Sequence, residues 1–235
     1  MHLGHYTYLC LNLATLFFPL LLSFDKKVAF YKKWPALLPA IGLTALVFIP
    51  WDMWKTHAGV WSFNPDYLLG LYMGNLPVEE WLFFFTVPYA LLFIYECLRA
   101  YFQDKWQGTS TRFAKAVFVG LVFVTMFFTD RMYTVITFPL AALFLLIHVQ
   151  LFGNRYLGRF WVAYTIHLVP FFVVNGILTA LPVVQYNPDE YMGLRIFSVP
   201  VEDAVYSLLL FLMNVTLHEA LQTRRAKKAF PYAKS

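Results

Sequence analysis

The stretch NPDYLLGLYMGNLPVEEWLFF, residues 64–84, returns 123 positions later, without a gap, as NPDEYMGLRIFSVPVEDAVYS, residues 187–207. Carried on to Leu98 and Leu221, the pairing holds ten identities over 35 positions, among them Gly70 with Gly193, Pro77 with Pro200, Glu79 with Glu202 and Glu96 with Glu219. The chain therefore contains a duplication. In both copies Pro-Val-Glu and a second acid stand directly in front of a long apolar run.

The 235 residues around this repeat are 60% hydrophobic and 20% aromatic but only 13% charged, well outside the ordinary soluble mixture. The composition predicts an all-α integral membrane protein. Apolar runs of roughly the 20 residues needed to cross a bilayer as helix fall at about 3–23, 34–51, 77–98, 113–129, 132–152, 160–181 and 199–222. The same offset carries span 1 onto span 5 and span 2 onto span 6. Two three-helix units, residues 1–103 and 131–235, are thus expected, joined by a connecting helix within 104–130. A single joining helix makes span 5 run in the direction of span 1, so the repeats are parallel, related by a pseudo-two-fold axis along the membrane normal. The two acid motifs then lie at one depth, where they can face a shared cavity.

Charge gives the orientation. With the N-terminus outside, the cytoplasmic connections and tail collect fifteen of the 18 basic residues, Lys105 and Lys234 among them, and only Lys55, Arg131 and Arg195 remain outside. This is the positive-inside bias, and it predicts a multi-pass protein of the inner or plasma membrane with a cytoplasmic C-terminus. It also accounts for the net charge of +5 without a nucleic-acid partner. Nine of the thirteen acids gather on or near the outer side. The first segment lacks the basic start of a signal peptide and reads as a retained span. Cys10 and Cys97 sit in different spans, which argues against a disulfide framework.

Pro77 and Pro200 suit the first position of a helix, where a missing N–H costs nothing. Glu79 and Glu202 then fall near the third, where an acid caps free N–H groups. Capping does not require the second acids, Glu80 and Asp203, and ionisable groups at the edge of hydrocarbon are expensive and mark function. All four are candidate catalytic groups. Consecutive helical residues point about 100° apart, so one acid of each pair faces the interior. Glu79 and Glu202, identical in both copies, are the expected inward pair.

Asp52 and Asn175 correspond under the repeat offset and are expected to help order the acids. Trp51, Trp54 and Trp61 suit either an interfacial belt or the cavity wall, and Trp81, Phe83, Phe84 and Tyr206 are further wall candidates. Glu96 and Glu219 are expected to pair with Arg99 and with Arg224 or Arg225. His148, His167 and His218 lack metal-ligand spacing, and no Gly-x-Gly-x-x-Gly supports a dinucleotide or flavin. No cofactor and no metal are expected.

The segments NLPVEEWLFFFTVPYALLFIYECL, from Asn75, and VVNGILTALPVVQY with GLRIFSVPVEDAVYSLLLFL, from Val173 and Gly193, resemble the two halves of the heterodimer-type, non-flavin lycopene β-cyclases, here fused in one chain. They are similar also to the cyclase region of fungal bifunctional phytoene synthase/lycopene cyclases. The resemblance implies a carotenoid substrate, lycopene, acid-catalysed closure of its ends to β-ionone rings, and membrane lipid and other carotenoid-pathway enzymes as surroundings. Chemistry agrees with it: ring closure needs a proton delivered to the terminal C=C, attack by an internal C=C on the cation, and removal of a ring proton. A carboxylic acid still protonated at neutral pH must be desolvated or set beside another carboxyl, and the doubled motif provides both. Three other readings compete. A related hydratase traps the same cation with water. A proton-coupled transporter would line an alternating path with its acids. A retinal-binding protein needs an intramembrane lysine; the last span has none, and the others sit in loops or at helix ends.

Overall fold

The computed structural model describes residues 3–104 and 107–229, so Lys105 and Lys234, counted above with the cytoplasmic lysines, lie outside the described residues. Seven helices follow in chain order: α1 Thr7–Leu21, α2 Trp34–His57, α3 Val78–Tyr101, α4 Gln107–Thr125, α5 Met132–Phe152, α6 Leu157–Ala180 and α7 Val201–Ala229. Six helical stretches are long and apolar enough to cross a membrane: Gly4–Phe24, Phe30–His57, Val78–Tyr101, Met132–Phe152, Leu157–Ala180 and Val201–Lys228. The protein is an all-α, multi-pass membrane protein.

α4 is the helix outside that set, and it starts and stops earlier than the 113–129 expected. Its first turns are wound from the polar run Gln107–Arg112, while Met126–Phe128 already make turn hydrogen bonds. Its two ends nonetheless lie at opposite ends of the neighbouring helices. Asp104, just before it, accepts from the Arg159 N–H where α6 begins; Tyr133, just after it, bonds to Glu190 and Asp203 at the motif end. Its 19 residues reach about 28 Å at 1.5 Å each, close to the hydrocarbon thickness.

α7 is buried along most of its length and packs on α2, α3, α5 and α6. The packing is reciprocal: α1 lies on α3 as α5 lies on α7, and α2 packs on α7 as α6 packs on α3. Helices that are the second members of their units thus seat against the third helix of the other unit.

The connections before α3 and α7 have the same build. Short hairpins pair β2 (Tyr72–Met73) with β3 (Leu76–Pro77) and β5 (Arg195–Ile196) with β6 (Val199–Pro200). Gly70 and Gly193 both adopt positive φ, +78° and +82°, the left-handed conformation that a Cβ disfavours. Between the units, β1 (Trp61–Phe63) pairs antiparallel with β4 (Val184–Tyr186), Ser62 opposite Gln185. These two residues are 123 apart, so the ribbon is symmetric about its own centre. A pseudo-two-fold axis through that point brings both motifs to the same end of the helices.

Pro77 falls one position earlier than read from the sequence. It closes the hairpin and precedes the first helical residue, Val78. The third helical position is therefore held by Glu80, and Glu79 is the second.

Candidate active site

Both acid pairs are turned opposite to the expectation drawn from their identity between the copies. Glu79 and Glu202 do not face the central cavity. The Leu69 N–H donates to Glu79 Oε1 at 2.7 Å, and the Met192 N–H donates to Glu202 Oε1 at 2.7 Å, the same contact in each copy. Thr134 Oγ1 adds a second donor to Glu202 Oε1, also at 2.7 Å. Both carboxyls are fully buried under their connections. The expectation that these two are the inward acids is thus corrected: at the start of a helix they turn back to the N–H groups of the preceding connections.

The second acids, Glu80 and Asp203, line a shared cavity, together with Asp52, Asn175, Phe83 and Tyr206 from the sequence candidates. The cavity measures about 60 Å³ and lies under the β1–β4 ribbon, with Trp61, Phe63, Val184 and Tyr186 in its wall. Phenols approach each cavity acid. Tyr8 of α1 donates a hydrogen bond to Glu80 Oε2. Asp203 accepts two, from Tyr133 to Oδ1 at 2.7 Å and from Tyr186 to Oδ2 at 2.7 Å. Asp52 has only the Tyr206 hydroxyl at 3.5 Å, and its Oδ2 is buried without a partner. Tyr186 lies outside the spans; burial first, and then the charge of Asp203, push its phenol well above the ordinary value, so it remains a donor.

The tryptophans separate. Trp61 is buried in the wall, and Trp51 packs on Tyr206 with ring centroids 5.2 Å apart. Trp54 is exposed. Trp81 stands beside the β2–β3 hairpin, its Nε1 donating to Met73 O at 3.1 Å, away from the cavity. Phe84 is buried against Phe48. His167 lines the cavity, its Nδ1 donating to Tyr164 O at 2.7 Å. At the opposite end Arg99 pairs with both Glu96 and Glu219. Arg224 and Arg225, expected to share that task, are exposed.

Reading by residue type missed Tyr8, Tyr133, Tyr186 and Lys55. Tyr8 and Tyr133 are 125 apart, so the ungapped comparison at 123 does not align them. Tyr186 aligns with Phe63, and an aromatic match hides the hydroxyl. Lys55 does stand in the last turn of α2, but it is 1% exposed and its Nζ has no hydrogen-bond partner. It sits among rings of Trp51, Trp61 and Tyr206, so the reading of every lysine outside the last span as a loop or helix-end group fails here.

Seven helices, six of them long and apolar enough to cross a membrane, that converge three carboxyls on one aromatic-walled cavity define a polytopic membrane protein with the parts for proton chemistry on an apolar molecule. The lycopene cyclase family model matches residues 5–98 and 130–221, most of the chain in two segments that leave out α4. The chain belongs to the lycopene cyclase family, and carotenoid cyclisation is the activity that membership carries. No curated protein and no solved structure matches it.

Proposed function

We propose that the protein is a lycopene β-cyclase, a non-redox isomerase that closes linear carotene ends to β-ionone rings at the cavity between α3 and α7. One observation carries this: Glu80 and Asp203, the second acids of two copies of one motif, line one buried aromatic cavity. One carboxyl delivers a proton to the terminal C=C, the internal C=C attacks the cation, and another carboxyl takes the ring proton, so the product is an isomer of the substrate. General acid–base groups of this kind contribute typically 10²–10⁴-fold. The faces of Trp61, Phe83 and Tyr206 stabilise the passing cation, and exclusion of water keeps it from becoming an alcohol. Asp52 and Asn175 order the acids, with Trp51 behind Tyr206.

The cavity, at about 60 Å³, is smaller than the roughly 300–1,000 Å³ of ordinary ligand pockets. A polyene end therefore enters by displacing lining side chains. The half-buried Val87 of α3 and Phe171 of α6 form the margin through which it arrives from the lipid. The same reading takes residues 1–103 and 131–235 as two three-helix units joined through 104–130, supported by the matching hairpins and reciprocal packing. It sets the motif end outside and the C-terminus in the cytoplasm of a plasma or inner membrane, supported by the distribution of basic residues.

The test is incubation of membranes containing the protein with lycopene, followed by mass and absorption analysis. A ring-bearing isomer is expected, lost in Glu80→Gln and in Asp203→Asn with the protein still inserted. A product heavier by water makes the protein a hydratase instead, and substrate-dependent proton flux in vesicles without any new product makes it a transporter.

A further inference from the structure

Ring closure as described leaves Lys55 without a task, yet a buried ammonium is among the costliest groups a protein can hold. Its Nζ lies 3.9 Å from the ring centroids of Trp51 and Tyr206, 4.1 Å from Trp61 and 5.2 Å from Tyr133. Rings alone stabilise a desolvated cation by far less than its desolvation costs. The counter-charge comes from carboxyls: Asp52 on its own helix, Asp203 on α7 and Glu80 on α3 are the groups acting on it. The other titratable groups facing this space are the phenols of Tyr8, Tyr133, Tyr186 and Tyr206 and the imidazole of His167; the buried Glu202, held by the Met192 N–H and Thr134, also acts on Asp203. That imidazole donates through Nδ1 while its Nε2 is buried without a partner, so a protonated ring would strand an N–H.

Three carboxyls line the cavity, and one lysine lies against the Trp61, Tyr133 and Tyr206 rings of its wall. Electroneutrality allows one carboxylate and leaves two carboxyls protonated. The hydrogen bonds select which is ionised, because an ionised carboxyl only accepts, and donors aimed at it favour that form. Asp203 has a phenol on each oxygen, Glu80 has Tyr8 on one, and Asp52 has a buried oxygen with none.

We propose that Lys55 is a positioning residue whose charge holds Asp203 as the single carboxylate of the cavity and leaves Glu80 and Asp52 protonated. On the cyclase reading, on which the naming of roles rests, Glu80 then donates the proton and Asp203 receives it. The aromatic cage keeps the ammonium beside the reacting groups without letting it donate a hydrogen bond that would fix it to one of them. The proton count itself does not depend on the substrate.

Infrared spectra of the purified protein in detergent read that count from the C=O stretch of protonated carboxyls. The expected pattern is that Glu80→Gln removes part of this band, and Lys55→Met adds intensity that is missing from the double variant Lys55→Met with Asp203→Asn, whose band matches the wild type. In the lycopene assay, Lys55→Met should lose at least about tenfold in rate at neutral pH and regain it as the pH rises, its acidic limb moved up by about 1–3 pH units, the effect of removing an adjacent opposite charge. Lys55→Arg should keep the wild-type profile. A band and pH profile unchanged in Lys55→Met, or added intensity that persists in the double variant, overturns the proposal. If wild-type protein forms no ring, the cyclase reading fails while the infrared result still judges Lys55. Should Lys55→Met alone not fold, the neutral double variant is expected to recover it, and failure to recover also overturns the proposal.

Discussion

The first and second units share their frame and differ in their chemistry. Leu69 N–H to Glu79 and Met192 N–H to Glu202 are the same bond at the same 2.7 Å, and Gly70 and Gly193 make the same left-handed turn. The residues reaching the cavity are not equivalent. Asp52 corresponds to Asn175, Lys55 to Leu178, Phe63 to Tyr186 and Phe83 to Tyr206. The first unit brings the additional acid and the lysine, and the second brings the additional phenols. The duplicated parts are those that fold the connections, where one hydrogen-bonding solution serves twice. The divergent parts meet across the pseudo-two-fold axis, where two identical acids would have to be donor and acceptor at once.

The comparison breaks first at the cavity acids. Glu80→Gln and Asp203→Asn should each lower ring formation by about 10²–10⁴-fold. An effect confined to one of them would mean that only one unit supplies proton chemistry. Next comes Tyr186→Phe, which gives the second unit the side chain found in the first. A hydrogen bond to a charged group contributes about 1.5–3 kcal/mol, so a rate loss of about 10–150-fold is expected at neutral pH. Because the lost donor had favoured the ionised Asp203, activity should return toward higher pH; a profile that moves acidic would reverse the sign.

The frame should respond alike on both sides. Glu79→Ala and Glu202→Ala each strand a loop N–H, at about 1–3 kcal/mol, which thermal unfolding in detergent would register as nearly equal losses. The extra Thr134 donor makes Glu202 the larger of the two. Smallest are Gly70→Ala and Gly193→Ala. Neither added Cβ meets an atom within 4 Å, so the cost is the left-handed backbone alone, about 1–2 kcal/mol. Unequal values would show that the two turns are not equivalent.

Legibility followed the range of the interaction. Spans were readable because each needs only its own apolar run, and the repeat because ungapped identity survives in the connections. α4 was misplaced by several residues since its first turns are polar, and its ends are decided by packing on α5 and α6. Identity between the copies does not reveal the inward acid, because the choice turns on 100° of helix rotation, which the packing of α3 and α7 sets.

By itself the sequence determined that this chain crosses a membrane as helices, that part of it is present twice in parallel, and that two acid pairs stand at one end. Those properties are written in local hydropathy, spacing and charge. Only the tertiary structure decided that Glu80 and Asp203, not Glu79 and Glu202, meet beside Asp52, with Tyr8, Tyr133 and Tyr186 on them and Lys55 enclosed in aromatic rings. The phenol–carboxyl bonds to Glu80 and Asp203 join residues 17–72 positions apart on different elements, and Asp52 meets Tyr206 from 154 positions away; each side chain's direction follows from how the helices rotate and pack, which no residue carries alone.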